Sequence, residues 1–175
     1  VINSLNYYDN YNYPAVKSFA NGSVFAPANN PYVEPTQKTD RVLGMSTGSK
    51  VRVLDSHYDA VNYTHQFLTT TAYFDEKGRP LQGLTDNIKG NTDFVTMQYD
   101  FSGKTLSVYE RQFFSTPGSN KISTITQFEY NKIGQIISLS KQYGSLPLKK
   151  LANYTYDASG RLKDKKLSPD FNSNA

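Results

Sequence analysis

The sequence predicts an all-β chain, a curved antiparallel sheet of long β-hairpins, on three observations. One turn pattern recurs: an aromatic residue, Asp or Asn, two variable residues, Gly, a polar or basic residue, then an apolar one. Its clearest copy is Tyr156-Asp157-Ala158-Ser159-Gly160-Arg161-Leu162, and an earlier one is Tyr130-Asn131-Lys132-Ile133-Gly134-Gln135-Ile136. Tyr99-Asp100-Phe101-Ser102-Gly103-Lys104 reaches its apolar residue at Leu106, and Phe74-Asp75-Glu76-Lys77-Gly78-Arg79-Pro80-Leu81 has Tyr73 one place early. The composition is rich in residues that suit a pleated surface: 14% are aromatic, with 14 Tyr among 175 residues. The segments between the turns alternate, and no helical period exceeds two turns.

The turn pattern has a mechanism. Asp or Asn at the first position of a type I turn accepts hydrogen bonds from backbone two residues on. Gly three residues later takes up a left-handed conformation without a Cβ clash. A type I turn closed in this way is a common hairpin connection with a G1 bulge. Gly78, Gly103, Gly134 and Gly160 recur at intervals of 25, 31 and 26 residues, about one long hairpin per period.

Taken in order, residues 1–40 form an irregular Asn/Tyr/Pro-rich lead-in with short strands, lying over the sheet or bridging to it. Tyr7-Tyr8-Asp9-Asn10 echoes the aromatic–Asp opening but lacks the Gly. The repeat sheet spans 41–168, and 169–175 is a tail. Lys50-Val51-Arg52-Val53-Leu54 reads as a strand, 66–74 as another, and 55–65 as a loop or insertion between them. Three hairpins follow, pairing about 92–100 with 104–114, 121–130 with 135–143, and 148–156 with 161–168. Ile122, Thr124, Thr126, Phe128 and Tyr130 share one face; Ile125 and Gln127 share the other. Turn signals close the far ends at Thr116-Pro117-Gly118-Ser119-Asn120 and Tyr143-Gly144-Ser145-Leu146-Pro147. Ten-residue strands are roughly 33 Å long, and a wide sheet of them twists and leaves open edges.

No chemistry-bearing constellation stands out. His57 and His65, the only histidines, share one polar loop and lack further ligands for a metal. Asp55-Ser56-His57 holds triad residue types, but triads are assembled from separated segments. Gly44-Met45-Ser46-Thr47-Gly48-Ser49-Lys50 is one residue short of a phosphate loop and precedes a strand, so a plain glycine turn is the better reading. Asp75, Asp100 and Asp157 open turns and would form a ladder along one rim; Arg79, Lys104 and Arg161 would solvate that rim or pair with carboxylates. Lys149, Lys150, Arg161, Lys163, Lys165 and Lys166 with Tyr154 and Tyr156 read as a solvated edge that discourages strand addition rather than a nucleic-acid surface. Asn21, Asn62 and Asn153 match a glycosylation pattern that is common by chance. The zero Cys count removes disulfides and thiolate chemistry, the net charge of +4 makes no case for nucleic acid, and no apolar run is long enough to span a membrane. The expectation is a non-enzyme with no catalytic, cofactor-binding or metal-binding residues.

The turn copies resemble the tyrosine–aspartate (YD) repeat of RHS-repeat proteins. The stretch from Arg41-Val42-Leu43-Gly44 through Tyr73–Gln82 to Gln98–Lys104 resembles the version in long secreted surface proteins of the type IX secretion kind, and the resemblance covers about 41–168. It implies a section of a spiral shell of hairpins in a secreted or cell-surface bacterial protein, which encloses or presents a polypeptide. In many relatives that polypeptide is a C-terminal toxin domain. The implied partners are further repeats of the same parent, an enclosed C-terminal effector and a secretion translocon. Val1-Ile2-Asn3-Ser4 shows no signal peptide, and the chain is expected to be a piece of a longer protein. The alternative from another class is a cell-surface glycan-binding β module using exposed Tyr rings or the 55–65 insertion.

Overall fold

A computed structural model describes residues 2–21, 33–54, 66–114 and 121–169. Ten strands occur among them: β1 (Ser4–Tyr8), β2 (Ser46–Arg52), β3 (Phe67–Phe74), β4 (Pro80–Asp86), β5 (Thr92–Tyr99), β6 (Thr105–Phe113), β7 (Lys121–Tyr130), β8 (Ile136–Tyr143), β9 (Lys149–Tyr156) and β10 (Leu162–Leu167). They form one antiparallel sheet in strict sequence order, with β1 and β10 at its edges. No helix is present among the described residues. The protein is all-β, and its sheet is not closed into a barrel.

The three expected hairpins are β5–β6, β7–β8 and β9–β10, each within a residue of its expected bounds. The strand read at 50–54 starts earlier, at Ser46. The reason is the turn before it: Met45 N–H donates to the Val42 carbonyl at 3.0 Å with Gly44 at φ 79°, so pairing can begin at Ser46. Gly48, Ser49 and Lys50 lie inside β2, and no phosphate-cradling loop exists there. Strand β1 comes from the lead-in and pairs with β2, Tyr7 opposite Gly48.

The chain divides into two compact units. The first holds, among described residues, 2–21, 36–54, 66–95, 112–114 and 121; the second holds 33–35, 96–111 and 122–169.

In the first unit the lead-in packs on one face of β2–β4. Pairing places Gly48 opposite Thr71, Thr71 opposite Leu84, and Tyr73 opposite Gln82, so these residues share that face. Tyr13 stacks on Tyr7 with centroids 4.3 Å apart, and its hydroxyl donates to the Thr47 carbonyl at 2.9 Å. The Thr71 hydroxyl lies 2.8 Å from the Tyr13 hydroxyl oxygen and accepts the Lys17 N–H at 3.1 Å. Tyr73 packs between Tyr11 at 4.6 Å and the edge of Phe19 at 5.2 Å. Its hydroxyl donates to the Lys17 carbonyl, and the Lys38 ammonium lies 5.9 Å from its ring. The Gln82 side-chain amide pairs with both backbone groups of Ala20 at 2.9 Å, as a neighbouring strand would. Lys17 pairs with Asp86. The buried Thr47, Thr71 and Gln82 side chains on this face therefore have partners, which is what makes their burial tolerable.

Burial pushes Tyr11 up to about 12 from 10.0 and raises Tyr13 and Tyr73 above the ordinary phenol value. The folded state holds the protonated phenols. Their stabilisation is complete below about pH 10 and is lost as pH rises from there through about 12. The share of the tyrosinate absorbance that belongs to Tyr11, Tyr13 and Tyr73 should rise late and together with loss of strand signal in circular dichroism. Absence of any late-titrating share, with the fold intact, would contradict this packing.

Candidate functional site

The recurrent turns are the most regular feature of the molecule, and each is built alike. In the first unit, Asp75 Oδ1 accepts the N–H groups of Lys77 and Arg79, both at 2.9 Å. Gly78 N–H donates to the Asp75 carbonyl and Asp75 N–H to the Arg79 carbonyl, each at 3.0 Å. Oδ2 takes the Arg79 guanidinium, with Nε at 2.6 Å and Nη2 at 2.5 Å. Asp75 is 5% exposed, so this carboxylate is buried against its own turn.

Asn87-Ile88-Lys89-Gly90-Asn91, between β4 and β5, repeats the geometry. Asn87 Oδ1 accepts Lys89 N–H at 3.0 Å and Asn91 N–H at 3.1 Å, and Gly90 sits at φ 77°. This copy is absent from the sequence reading, which required an aromatic before the Asp or Asn; Asp86 stands there instead. The signal that would have found it is Asn-x-x-Gly alone.

The second unit carries three copies: Asp100–Lys104, Asn131–Gln135 and Asp157–Arg161. Their acceptor oxygens take the fourth residue's N–H at 2.9 Å in every case. Their glycines have φ 89°, 87° and 78°. The bulge implied by the pattern is seen as register shifts at Glu129/Tyr130 and Leu162/Asp164, and in the first unit at Tyr73/Phe74. Asp100 and Asp157 are held below the usual carboxylate range. For Asp100, burial pushes upward but is outweighed by the Ser102 hydroxyl, the Lys104 N–H and the Lys104 charge. For Asp157 the Arg161 backbone N–H contributes most, with the guanidinium and Ser159 N–H adding to it against desolvation.

Neighbouring turns of this unit are also joined to each other. The Tyr130 hydroxyl donates to the Thr105 carbonyl, and the Tyr156 hydroxyl to the Ile136 carbonyl, both at 2.8 Å. In each case the tyrosine just before one turn reaches the residue that starts the strand after the previous turn. In the other direction, the side chain following each glycine covers the next turn's glycine. A Cβ on Gly134 would lie 2.6 Å from Lys104 Cε, and one on Gly160 would lie 3.3 Å from Gln135 Nε2. Gln135 Nε2 donates to the Gly160 carbonyl at 2.7 Å. The tyrosine ends its own strand, and its hydroxyl serves the neighbouring hairpin as well.

Arg79, Lys104 and Arg161 each pair with the Asp of their own turn, Lys104 more loosely at 3.9 Å. The basic cluster lies on β9, β10 and, with Arg161, the turn between them; Lys165 is 5.7 Å from the Tyr154 ring and β10 is exposed along its whole length. Asn153 lies within β9. His57, His65, Asp55, Ser56, Asn62 and the whole 55–65 insertion are outside the described residues, as are Thr116–Asn120. Among the described residues no group of three or more His, Cys, Asp or Glu is placed to hold a metal, and no helix is long and apolar enough to cross a membrane.

No protein-family model matches the chain, and comparison with curated proteins finds no match. The geometry of the turns and of the sheet therefore carries the functional argument.

Proposed function

We propose that the chain is a non-catalytic structural section of an RHS/YD-repeat shell that encloses or presents a polypeptide, such as a toxin domain, in a secreted or cell-surface protein. The observation that supports this most is the joining of successive turns. Tyr130 and Gln135 bond the β7–β8 hairpin to the hairpins before and after it, and Tyr156 bonds β9–β10 back to β7–β8. Such a scheme extends a wall by repetition and supplies area rather than reactive groups. On this reading the partners are further repeats of the parent, an enclosed C-terminal effector and a secretion translocon, and the compartment is extracellular. For the glycan-binding alternative, Tyr13, Tyr73 and Tyr99 are buried and Tyr130 and Tyr156 are bonded to backbone, which leaves the exposed rings of Tyr8 and Tyr143 to carry it. Mass spectrometry of the intact source protein tests the reading. A much longer parent with many more aromatic–Asp/Asn–x–x–Gly turns is the expected result; a mature chain that ends at Ala175 would overturn it.

A further inference from the structure

The last strands carry an excess of positive charge that neither the turns nor the joining of hairpins uses. Residues 121–169 hold nine Lys and Arg against three carboxylates, in a chain whose net charge is +4. Part of that charge converges on one face. Leu139, Lys141 and Tyr143 alternate along β8 and so point the same way. Pairing sets Lys149 directly opposite Lys141, and carries the face from Leu139 across Ala152 to Leu167, with Tyr154 and Lys165 opposite each other beside them. Lysines directly opposite have Cβ atoms about 5 Å apart, which is destabilising until an anion lies between them. Among the described residues Lys141, Lys149 and Lys165 form no ion pair with a carboxylate. The Lys141 ammonium lies 5.4 Å from the Tyr143 ring, which is 47% exposed, and the Lys165 ammonium 5.7 Å from the Tyr154 ring. Strand rise and spacing place these two lysine–tyrosine pairs roughly 15–20 Å apart.

We infer that this face of β8–β10 binds a linear acidic polysaccharide, with a uronate carboxylate held between Lys141 and Lys149 and sugar rings laid along Tyr143 and Tyr154. A carboxylate bridging the two ammonium groups turns their repulsion into attraction. Each tyrosine offers an apolar ring and a hydroxyl, which suits the apolar face and polar rim of a pyranose. Thr124 and Thr126, opposite Tyr143 and Lys141 on β7, continue the face with hydroxyls. Glu110, bonded to the Thr124 hydroxyl at 3.0 Å, closes it to anions on the β6 side. No Arg lies in β8, β9 or β10, and Arg is the side chain whose planar fork matches phosphate. Each ring also carries a lysine already, which favours a sugar over a stacked base. The proposal narrows the glycan alternative to acidic chains and to one face, and a section of wall can carry such a chain as readily as a free module.

The test uses the full chain and an oligogalacturonate, with dextran as the neutral sugar and oligothymidylate as the competing polyanion. Binding to the oligogalacturonate and not to dextran is expected, weakening as salt rises. Lys141→Gln combined with Lys149→Gln should weaken it about tenfold or more and flatten its salt dependence. Lys121→Gln combined with Lys132→Gln removes the same charge elsewhere and should change it by less than about threefold. Tyr143→Ala should weaken it about threefold or more with the salt dependence kept. Circular dichroism checks that each variant retains its sheet. No binding to the oligogalacturonate, or equal losses in the two double variants, would overturn the site. Tighter binding of oligothymidylate than of the oligogalacturonate through the same lysines would overturn the sugar and give the face to single-stranded nucleic acid. None of these outcomes bears on the wall, which the length of the parent decides.

Discussion

Replacing Gly48 by alanine is expected to destabilise the first unit by about 2–4 kcal/mol, read as a fall in the denaturation midpoint with unchanged slope. An added Cβ would lie 2.2 Å from the Tyr13 hydroxyl, 2.5 Å from its Cζ and 2.8 Å from the Thr70 carbonyl. The backbone oxygen belongs to a paired strand and cannot retreat. The ring would have to leave, and with it go the bond to Thr47, the contact with Thr71 and the stacking on Tyr7. Thr47 and Thr71 are fully buried, so their groups would lose a partner without gaining water. The variant G48A combined with Tyr13→Ala separates the causes. If the clash with the ring dominates, the double variant should cost little more than Tyr13→Ala alone. A neutral G48A would mean that Tyr13 does not occupy this face.

Asp75→Ala is expected to cost about 2–4 kcal/mol, and Asp75→Asn clearly less. The alanine leaves the Lys77 and Arg79 N–H groups without the oxygen that gathers them, and leaves the half-buried Arg79 guanidinium without its carboxylate. Asparagine keeps the gathering oxygen, as Asn87 and Asn131 do in the same geometry, and loses only the ion pair. Asp157→Ala makes the same chemical change at an exposed turn, where water can replace the lost bonds, and should therefore cost less than Asp75→Ala. Urea titrations of the three variants against the parent, followed by circular dichroism, give the order directly. Equal costs at 75 and 157 would show that burial does not set the value of this carboxylate.

The ladder of carboxylates anticipated along one rim resolves into separate turns, each carboxylate saturated by its own loop. That explains why Asp and Asn interchange at the position: the structural task needs an accepting oxygen, and the charge is an addition where Arg or Lys follows the glycine. It also explains how Asn87-Ile88-Lys89-Gly90 escaped a pattern keyed to a preceding aromatic. The aromatic belongs to the contact between repeats, and the turn itself does without it. Tyr7-Tyr8-Asp9-Asn10, which lacks the glycine, behaves differently again: Asp9 takes φ 68° itself, and its carboxylate accepts Gly44 N–H at 2.5 Å from a distant part of the chain.

The amino-acid order alone determined the turns and the strands between them, because those depend on hydrogen bonds spanning two to four residues and on side chains alternating with a period of two. Asp75, Asn131 and Asp157 bond to their own loops wherever those loops are placed. What covers the face of β2–β4, why Gly48 must be bare and which carbonyl each tyrosine finds were decided by tertiary structure. These contacts join residues 20 to 69 apart, such as Tyr156 with Ile136, Gln82 with Ala20 and Lys17 with Asp86, and their partners exist only once the strands have paired in register.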